Sequence, residues 1–281
     1  MTDIPNLDEL IRMALKEDIG DGDHSTLACI PPTAKGVAKM VAKQEGVLCG
    51  MEVGKRVFKI VDNDLTVTEL KKDGDTVAKG DILMLVEGSS ASILTAERTA
   101  LNFMQRLSGI ATETHRMVDM LNGLSTRLLD TRKTTPNMRL LEKYAVACGG
   151  GTNHRIGLYD MVMLKDNHID FAGGIEAAID RTHDYLKRNN KDLRIEIEVR
   201  NLDELDRVLA HGGVDRIMLD NFDVDTLREA VRRIDHRYET EASGGITDQT
   251  LRKYAETGVD FISVGALTHH IKSMDISLLK K

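Results

Sequence analysis

The chain has 281 residues, which at roughly 150 residues per domain allows two domains or one large α/β barrel. Hydrophobic residues at 41% and charged residues at 30% are ordinary for a soluble globular protein, and 4% aromatics with no Trp leave no stacking platform for single-stranded nucleic acid. Thirty-eight basic against 45 acidic residues give a net charge of −7, a field that repels polyanions, so only a local basic cluster can hold an anion. No apolar run approaches the ~18 residues of a membrane helix. The start, Met1-Thr2-Asp3-Ile4-Pro5, lacks the basic and apolar regions of a signal peptide. Cys29, Cys49 and Cys148 lie far apart and read as reduced thiols, so a cytoplasmic location is expected, with neither nucleic acid nor membrane as partner.

In chain order, Leu7, Leu10, Ile11, Ala14 and Leu15 predict a first helix with one buried face, and Asn6 with Glu9 its N-cap pair. The acidic run that follows is not a calcium loop. Counted from Asp21, it puts Thr26 where glycine is needed and Pro32 where the bidentate glutamate belongs. Between Gly36 and Glu87, the runs Val37–Ala42, Thr66–Leu70 and Ile82–Val86, separated by Gly and Asp turns, predict a small antiparallel sheet. Asp73–Asp81 superficially resembles a biotinyl or lipoyl module, but no modifiable lysine stands at a hairpin tip. A helix is predicted near Ser92–Ser108, ending at Gly109.

After residue 125 apolar runs ending in polar residues alternate with helical faces. The runs are Leu128–Asp130, Met161–Lys165, Ile195–Val199, Ile217–Asp220, Tyr238–Ala242 and Phe261–Gly265. Between the later ones lie the faces Ile175/Ala178/Ile179/Leu186, Leu202/Leu205/Val208/Leu209, Val224/Leu227/Val231/Ile234 and Leu251/Tyr254/Ala255. Gly212 and Gly258 stand just past helix ends. Such β-α units mean parallel strands with crossover helices. The expected fold class is α/β: an open, incomplete β/α barrel over residues 113–268 behind an α/β sandwich domain over 1–112. The tail 269–281 is expected to pack on that first domain.

Barrel sites lie at the C-terminal ends of the strands. Those ends carry Asp130-Thr131-Arg132-Lys133, Lys165-Asp166-Asn167-His168, Glu198-Val199-Arg200, Asp220-Asn221, Ser243-Gly244-Gly245 and Gly265. Alternation in the third strand sends Glu196 and Glu198 into the barrel, and Glu239 and Glu241 repeat the arrangement. Buried carboxylates need partners. For Glu196 and Glu239 these are expected among Arg194, Arg200 or nearby lysines, whereas Glu198 and Asp220 suit sugar hydroxyls or Mg²⁺. Two glycine turns on the last two strands, Ser243-Gly244-Gly245 and Val264-Gly265-Ala266, with Thr247 opening a helix, predict a phosphate site. Arg132, Lys133, His154, Arg155 and Lys165, with Arg98 upstream, predict a substrate carrying several negative charges.

These residues fall into ordered motifs. Ala96–Asn102, Asp130–Thr134, Gly149–Arg155, Leu164–His168, Glu196–Val199, Leu219–Asn221, Glu241–Gly245 and Val264–Ala266 resemble quinolinate phosphoribosyltransferase, a likeness running from about Glu17 to Ala266. The resemblance implies transfer of phosphoribose from 5-phosphoribosyl-1-pyrophosphate (PRPP) to quinolinate. Pyrophosphate and CO₂ leave, and nicotinate mononucleotide forms for de novo NAD synthesis, with Mg²⁺ required. It also implies a homodimer or larger assembly in which Arg98 reaches the neighbouring subunit's site. The expected substrate contacts are Arg98, Thr131, Arg132, Lys133, His154, Arg155, Lys165, Glu198, Asp220, Ser243, Gly244, Gly245, Val264, Gly265 and Ala266. Lys133, Lys165, Glu198 and Asp220 are the expected catalytic groups, and Glu198 and Asp220 the metal-binding pair, directly or through water or substrate. The alternatives are a nicotinate-salvage or molybdenum-associated relative of the same fold, a Schiff-base aldolase using Lys165, and a non-catalytic nucleotide sensor.

Overall fold

A computed structural model describes residues 4–281. The elements run α1 (Leu7–Ile19), α2 (His24–Cys29), β1 (Lys35–Ala42), β2 (Gly46–Val47), α3 (Met51–Val61), β3 (Thr66–Glu69), β4 (Thr76–Val77), β5 (Ile82–Ser89) and α4 (Ser90–Asp119). They continue β6 (Arg127–Leu129), α5 (Arg139–Cys148), β7 (Val162–Leu164), α6 (Asp166–Ala172), α7 (Ile175–Arg188), β8 (Ile195–Val199), α8 (Leu202–His211) and β9 (Arg216–Asp220). The chain ends with α9 (Val224–Ile234), β10 (Glu239–Ser243), α10 (Asp248–Ala255), β11 (Phe261–Ser263), α11 (Ala266–His269) and β12 (Ile276–Lys280).

The chain divides into two compact units. The first comprises residues up to His115, Thr134–Gly150 and Ala266–Lys281; the second comprises Arg116–Lys133 and Gly151–Gly265. The boundaries read from the sequence instead leave Thr134–Gly150 and the first residues after Gly265 with the barrel. In the first unit an antiparallel sheet has the order β12-β1-β5-β3, and β2 pairs with β4. Its apolar core includes Ile11, Met40, Phe58, Leu83, Met104 and Leu107, all fully buried. A buried ion pair ties α4 to the Thr134–Gly150 insertion. Arg106 meets Glu142, which is fully buried, and donates to Thr135 Oγ1 at 2.8 Å and to the Thr268 carbonyl at 3.1 Å.

Three local expectations are corrected here. Asn6 does occupy the N-cap of α1, but in a left-handed conformation (φ 61°) with no side-chain cap bond, so the Asn6–Glu9 pair does not form. Met51–Val61 is a helix inside a stretch that reads as strands and turns. Its β-branched valines mask a helical face of Met51, Val53, Gly54, Val57 and Phe58. α4 does not stop at Gly109 but runs to Asp119. That glycine serves close packing: a Cβ there would collide with the Lys272 carbonyl and come within 3.0 Å of Ser273 Cα.

The second unit is an open α/β barrel of parallel strands in the order β6-β11-β10-β9-β8-β7, every one of them expected from the sequence. The burial of all five β8 residues follows from a sheet covered on both faces. α7 buries Ile175, Ala178, Ile179 and Leu186; α9 buries Leu227, Ala230 and Ile234. The free edge of β6 is extended by one bridge, Leu129 to Thr152. There the Thr152 N–H donates to the Leu128 carbonyl at 2.8 Å and the Asp130 N–H to the Thr152 carbonyl at 3.2 Å. That bridge carries the chain from the triple glycine into the barrel. Among the described residues no helix is long and apolar enough to cross a membrane.

Candidate active site

Parallel pairing puts all six strand C-termini of the second unit on one edge, and the loops leaving them hold the expected polar residues. The edge is laced by backbone bonds: Asn221 N–H to the Ser243 carbonyl at 2.9 Å, and Val264 N–H to the Leu129 carbonyl at 3.0 Å. Lys165 closes β7 and its Nζ lies 3.3 Å from Glu198 Oε2 near the end of β8. Asp220 ends β9 next door, with Asn221 Nδ2 donating to its Oδ2 at 2.5 Å.

Burial raises the Glu198 carboxyl above its ordinary range; Lys165 pulls it back down, while Asp220 and Asp166 push it up. Burial likewise raises Asp220, against the lowering influence of Lys165, Asn221 and Lys133. Two carboxylates and two lysines therefore share one field. Such a donor set of hard oxygens fits a Mg²⁺ ion that keeps water and phosphate ligands.

On the other side, burial and the Arg132 charge both lower the Arg155 guanidinium from its usual value. Glu196 and Asp160 offset part of this effect on Arg155. Arg155 is oriented by an Nη1 bond to the Met161 carbonyl at 3.2 Å. Asp160 shapes the same loop by accepting the Ile156 and Gly157 N–H groups at 2.7 and 2.8 Å. Thr131 Oγ1 accepts the Lys133 N–H at 3.0 Å, turning the chain after β6.

Gly244 (φ 100°) and Gly245 (φ 61°) follow β10, and Val264 and Gly265 follow β11. A side chain at Gly244 would run into Asn221, whose backbone N would lie 2.9 Å from the new Cβ. Thr247 caps α10 in a reciprocal capping box with Thr250, which leaves the Ser243–Gly245 turn at the head of that helix. Arg98 is exposed on α4 of the first unit.

His154 sits lower than its place in the sequence suggests. It is 7% exposed, and its Nε2 lies 3.0 Å from Glu196 Oε2 and 3.2 Å from Glu241 Oε2. Glu239 pairs with Arg194 at 2.6 Å, as expected, and also with Arg216 at 2.9 Å. Glu196 does not pair with Arg194 or Arg200; its neighbour is the imidazole, and Arg200 holds Asp170 and Glu204 at the surface. The sequence reading overlooks Arg216, which reaches Glu241 Oε2 at 3.2 Å, and the structural role of Asp130, whose Oδ1 accepts the His154 N–H at 2.8 Å. Their polar character is visible in the sequence; the cross-strand pairing that unites them is not.

Comparison with known proteins decides the family. The C-terminal domain model of quinolinate phosphoribosyl transferase matches residues 110–279, and the N-terminal domain model matches residues 23–108. The chain belongs to the quinolinate phosphoribosyltransferase family. It is similar to the chloroplastic nicotinate-nucleotide pyrophosphorylase [carboxylating] of Arabidopsis thaliana, with 45% identity over 97% of this chain and 82% of that protein. It is also similar to the probable nicotinate-nucleotide pyrophosphorylase [carboxylating] of Bacillus subtilis, with 42% identity over 97% of this chain and 92% of the other. Among solved structures it resembles that of NadC from Streptococcus pyogenes, with a TM-score of 0.94, 40% identity and all of both chains covered. The open barrel and sandwich expected for a quinolinate phosphoribosyltransferase are therefore the fold this chain has.

Proposed function

We propose that the strand-end rim of the second unit performs the family's reaction, transfer of phosphoribose from PRPP to quinolinate with loss of pyrophosphate and CO₂. One observation carries this reading: the charges of Arg132 and Arg155 act on each other on one part of the rim, and on another Lys165 pairs with the buried Glu198 at 3.3 Å and also acts on Asp220. The first pair suits the two adjacent carboxylates of quinolinate, with Thr131 beside them and Arg98 supplied by a neighbouring chain. The second set suits the ribosyl centre. Lys133 and Lys165 hold the pyrophosphate, and Glu198 and Asp220 hold the ribose hydroxyls. The turns Ser243–Gly245 and Val264–Ala266 hold the 5-phosphate.

As the bond from C1 to pyrophosphate lengthens, the sugar gains oxocarbenium character. Glu198 and Asp220 stabilise that charge, and the lysines stabilise the departing anion. The pyridine nitrogen attacks C1, and the resulting ring cation favours loss of the adjacent carboxylate. No protein nucleophile is needed, so orientation and electrostatics supply the rate. Glu198 and Asp220 would also hold Mg²⁺, directly or through water, and the ion would neutralise pyrophosphate charge. The protein works in the cytoplasm as a dimer or larger assembly with shared sites. The test is direct: enzyme, PRPP and Mg²⁺ with quinolinate or with nicotinate, following pyrophosphate and CO₂. Turnover of quinolinate that EDTA abolishes and Mg²⁺ restores is expected; turnover of nicotinate alone would overturn the assignment.

A further inference from the structure

Below the rim lies a buried polar cluster that the reaction, as described, does not use. Its members are His154, Glu196 and Glu241, with side chains 4%, 0% and 0% exposed. Their ligating atoms lie within 4.8 Å of one another, the only such group of three His, Cys, Asp or Glu among the described residues. Part of the charge there is already compensated. Arg216 holds Glu241 Oε2 at 3.2 Å, and its guanidinium lies 4.2 Å from the centre of the Phe261 ring. This is an ion-pair network rather than an anionic cage waiting for a metal.

The two ring nitrogens of His154 face different neighbours, the backbone on one side and two carboxylates at ion-pair distance on the other. Nδ1 lies 2.7 Å from the backbone N of Arg155, and Nε2 faces the two carboxylates; burial opposes the charged ring, but Glu196 and Glu241 outweigh it and push the imidazole up to about 9. The residue's own N–H is held by Asp130, which is fully buried. Neither oxygen of Glu196 has a hydrogen-bond partner among the described residues; its ion-pair contact is the imidazole Nε2 at 3.0 Å, and its charge is also felt by Arg155 and Arg216. A buried carboxylate with one such neighbour is costly to keep for packing alone, since an apolar residue of similar volume would fill the space at lower cost.

We propose that Glu196 and Glu241, acting through His154, are positioning residues for Arg155. The two carboxylates hold the charge and the orientation of the ring. The ring fixes the Arg155 amide, and with Asp130 it clamps residues 152–155 to the free edge of β6. The guanidinium one residue on is thereby presented to the dicarboxylate. On this account His154 serves quinolinate binding from below and does not itself contact the substrate. The inference rests on the assignment of Arg155 to quinolinate made above.

A double-mutant cycle separates the two claims. Glu196→Gln keeps shape and removes charge; Glu241→Gln is the second variant, and thermal unfolding reports whether each remains folded. Each substitution should raise KM for quinolinate about tenfold while leaving KM for PRPP within about twofold. In an Arg155→Ala background the same substitutions should have no further effect. His154→Asn, whose Oδ1 can replace Nδ1 as acceptor for the Arg155 N–H, should retain much of the binding that His154→Leu loses.

A second readout needs no turnover. ¹⁵N spectra of histidine-labelled enzyme should show His154 keeping its proton on Nε2 well above the usual histidine range, unmoved by quinolinate in wild type and shifted to lower pH by Glu196→Gln. If Arg155→Ala leaves KM for quinolinate unchanged, the assignment of Arg155 fails. If Arg155→Ala raises it and Glu196→Gln still adds its full effect on top, the positioning role fails while that assignment stands. A His154 resonance that shifts with direct hydrogen bonding to quinolinate, or one equivalent of a tightly bound transition metal in the purified protein, also overturns the role.

Discussion

Gly244 is where a single methyl group tests the phosphate site most sharply. Its φ of 100° is unfavourable for any residue with a Cβ, at a cost of about 1–2 kcal/mol. The added Cβ would also lie 2.6 Å from Asn221 Cγ and 2.9 Å from Asn221 N, closer than real Cβ contacts come. Asn221 can retreat only by giving up its bond to Asp220 Oδ2 and straining its N–H bond to the Ser243 carbonyl. Losing the hydrogen bond to a charged group adds about 1.5–3 kcal/mol. Gly244→Ala should therefore destabilise the fold by about 3–4 kcal/mol, roughly 6–16 °C in Tm for a domain of this size. Gly245→Ala is the matched control. Its φ is 61° and nothing lies within 4 Å of an added Cβ, so only the backbone cost of about 1–2 kcal/mol applies. Steady-state kinetics with each substrate varied then locate the effect. KM for PRPP should rise at least about tenfold in Gly244→Ala, equivalent to ~1.4 kcal/mol, with KM for quinolinate changed much less. Equal changes in both KM values, or a Gly244→Ala protein as stable as Gly245→Ala, would refute the reasoning.

Two further outcomes are expected. Arg98→Ala and Lys165→Ala should each be nearly inactive alone, yet mixing them under subunit exchange should restore part of the activity, because some mixed dimers carry one intact shared site. Full exchange into heterodimers without recovery would place Arg98 in its own chain's site. Glu198 and Asp220 are raised above the ordinary carboxylate range by burial and must be ionised to stabilise a cationic sugar, so kcat/KM for PRPP should fall as pH drops through those raised values. Lys165 lowers both groups, so in Lys165→Met the two carboxyls, followed by ¹³C NMR rather than turnover, should titrate at still higher pH. An acid limb at the ordinary carboxylate position in wild type would show that these groups do not control the step.

The same two carboxylates bear on stability. A carboxyl whose folded pKa exceeds its unfolded one binds more protons when folded, so its contribution to stability falls as pH rises through that window. Ionising Glu198 and Asp220 in the folded state thus works against the preference of the fold. Function rather than stability explains their presence.

All six barrel strands and their main helical faces are legible in the sequence, because alternation and the 3.6-residue period are local properties of the chain. Strand ends follow directly from strands, so Lys165, Glu198, Asp220 and the Ser243–Gly245 turn can be placed on one rim before any pairing is known. Where a local signal is ambiguous, the reading fails. The valines of Met51–Val61 favour a strand in isolation, but packing makes them the buried face of a helix. Gly109 looks like a helix stop until the approach of Lys272 supplies another reason for a glycine. Partners distant in sequence are decided only by tertiary structure. His154 meets Glu196 and Glu241, and Glu241 meets Arg216, because β8, β9 and β10 pair in one register and Thr152 docks on β6. Register is set by the packing of whole faces, and no short stretch of sequence contains it.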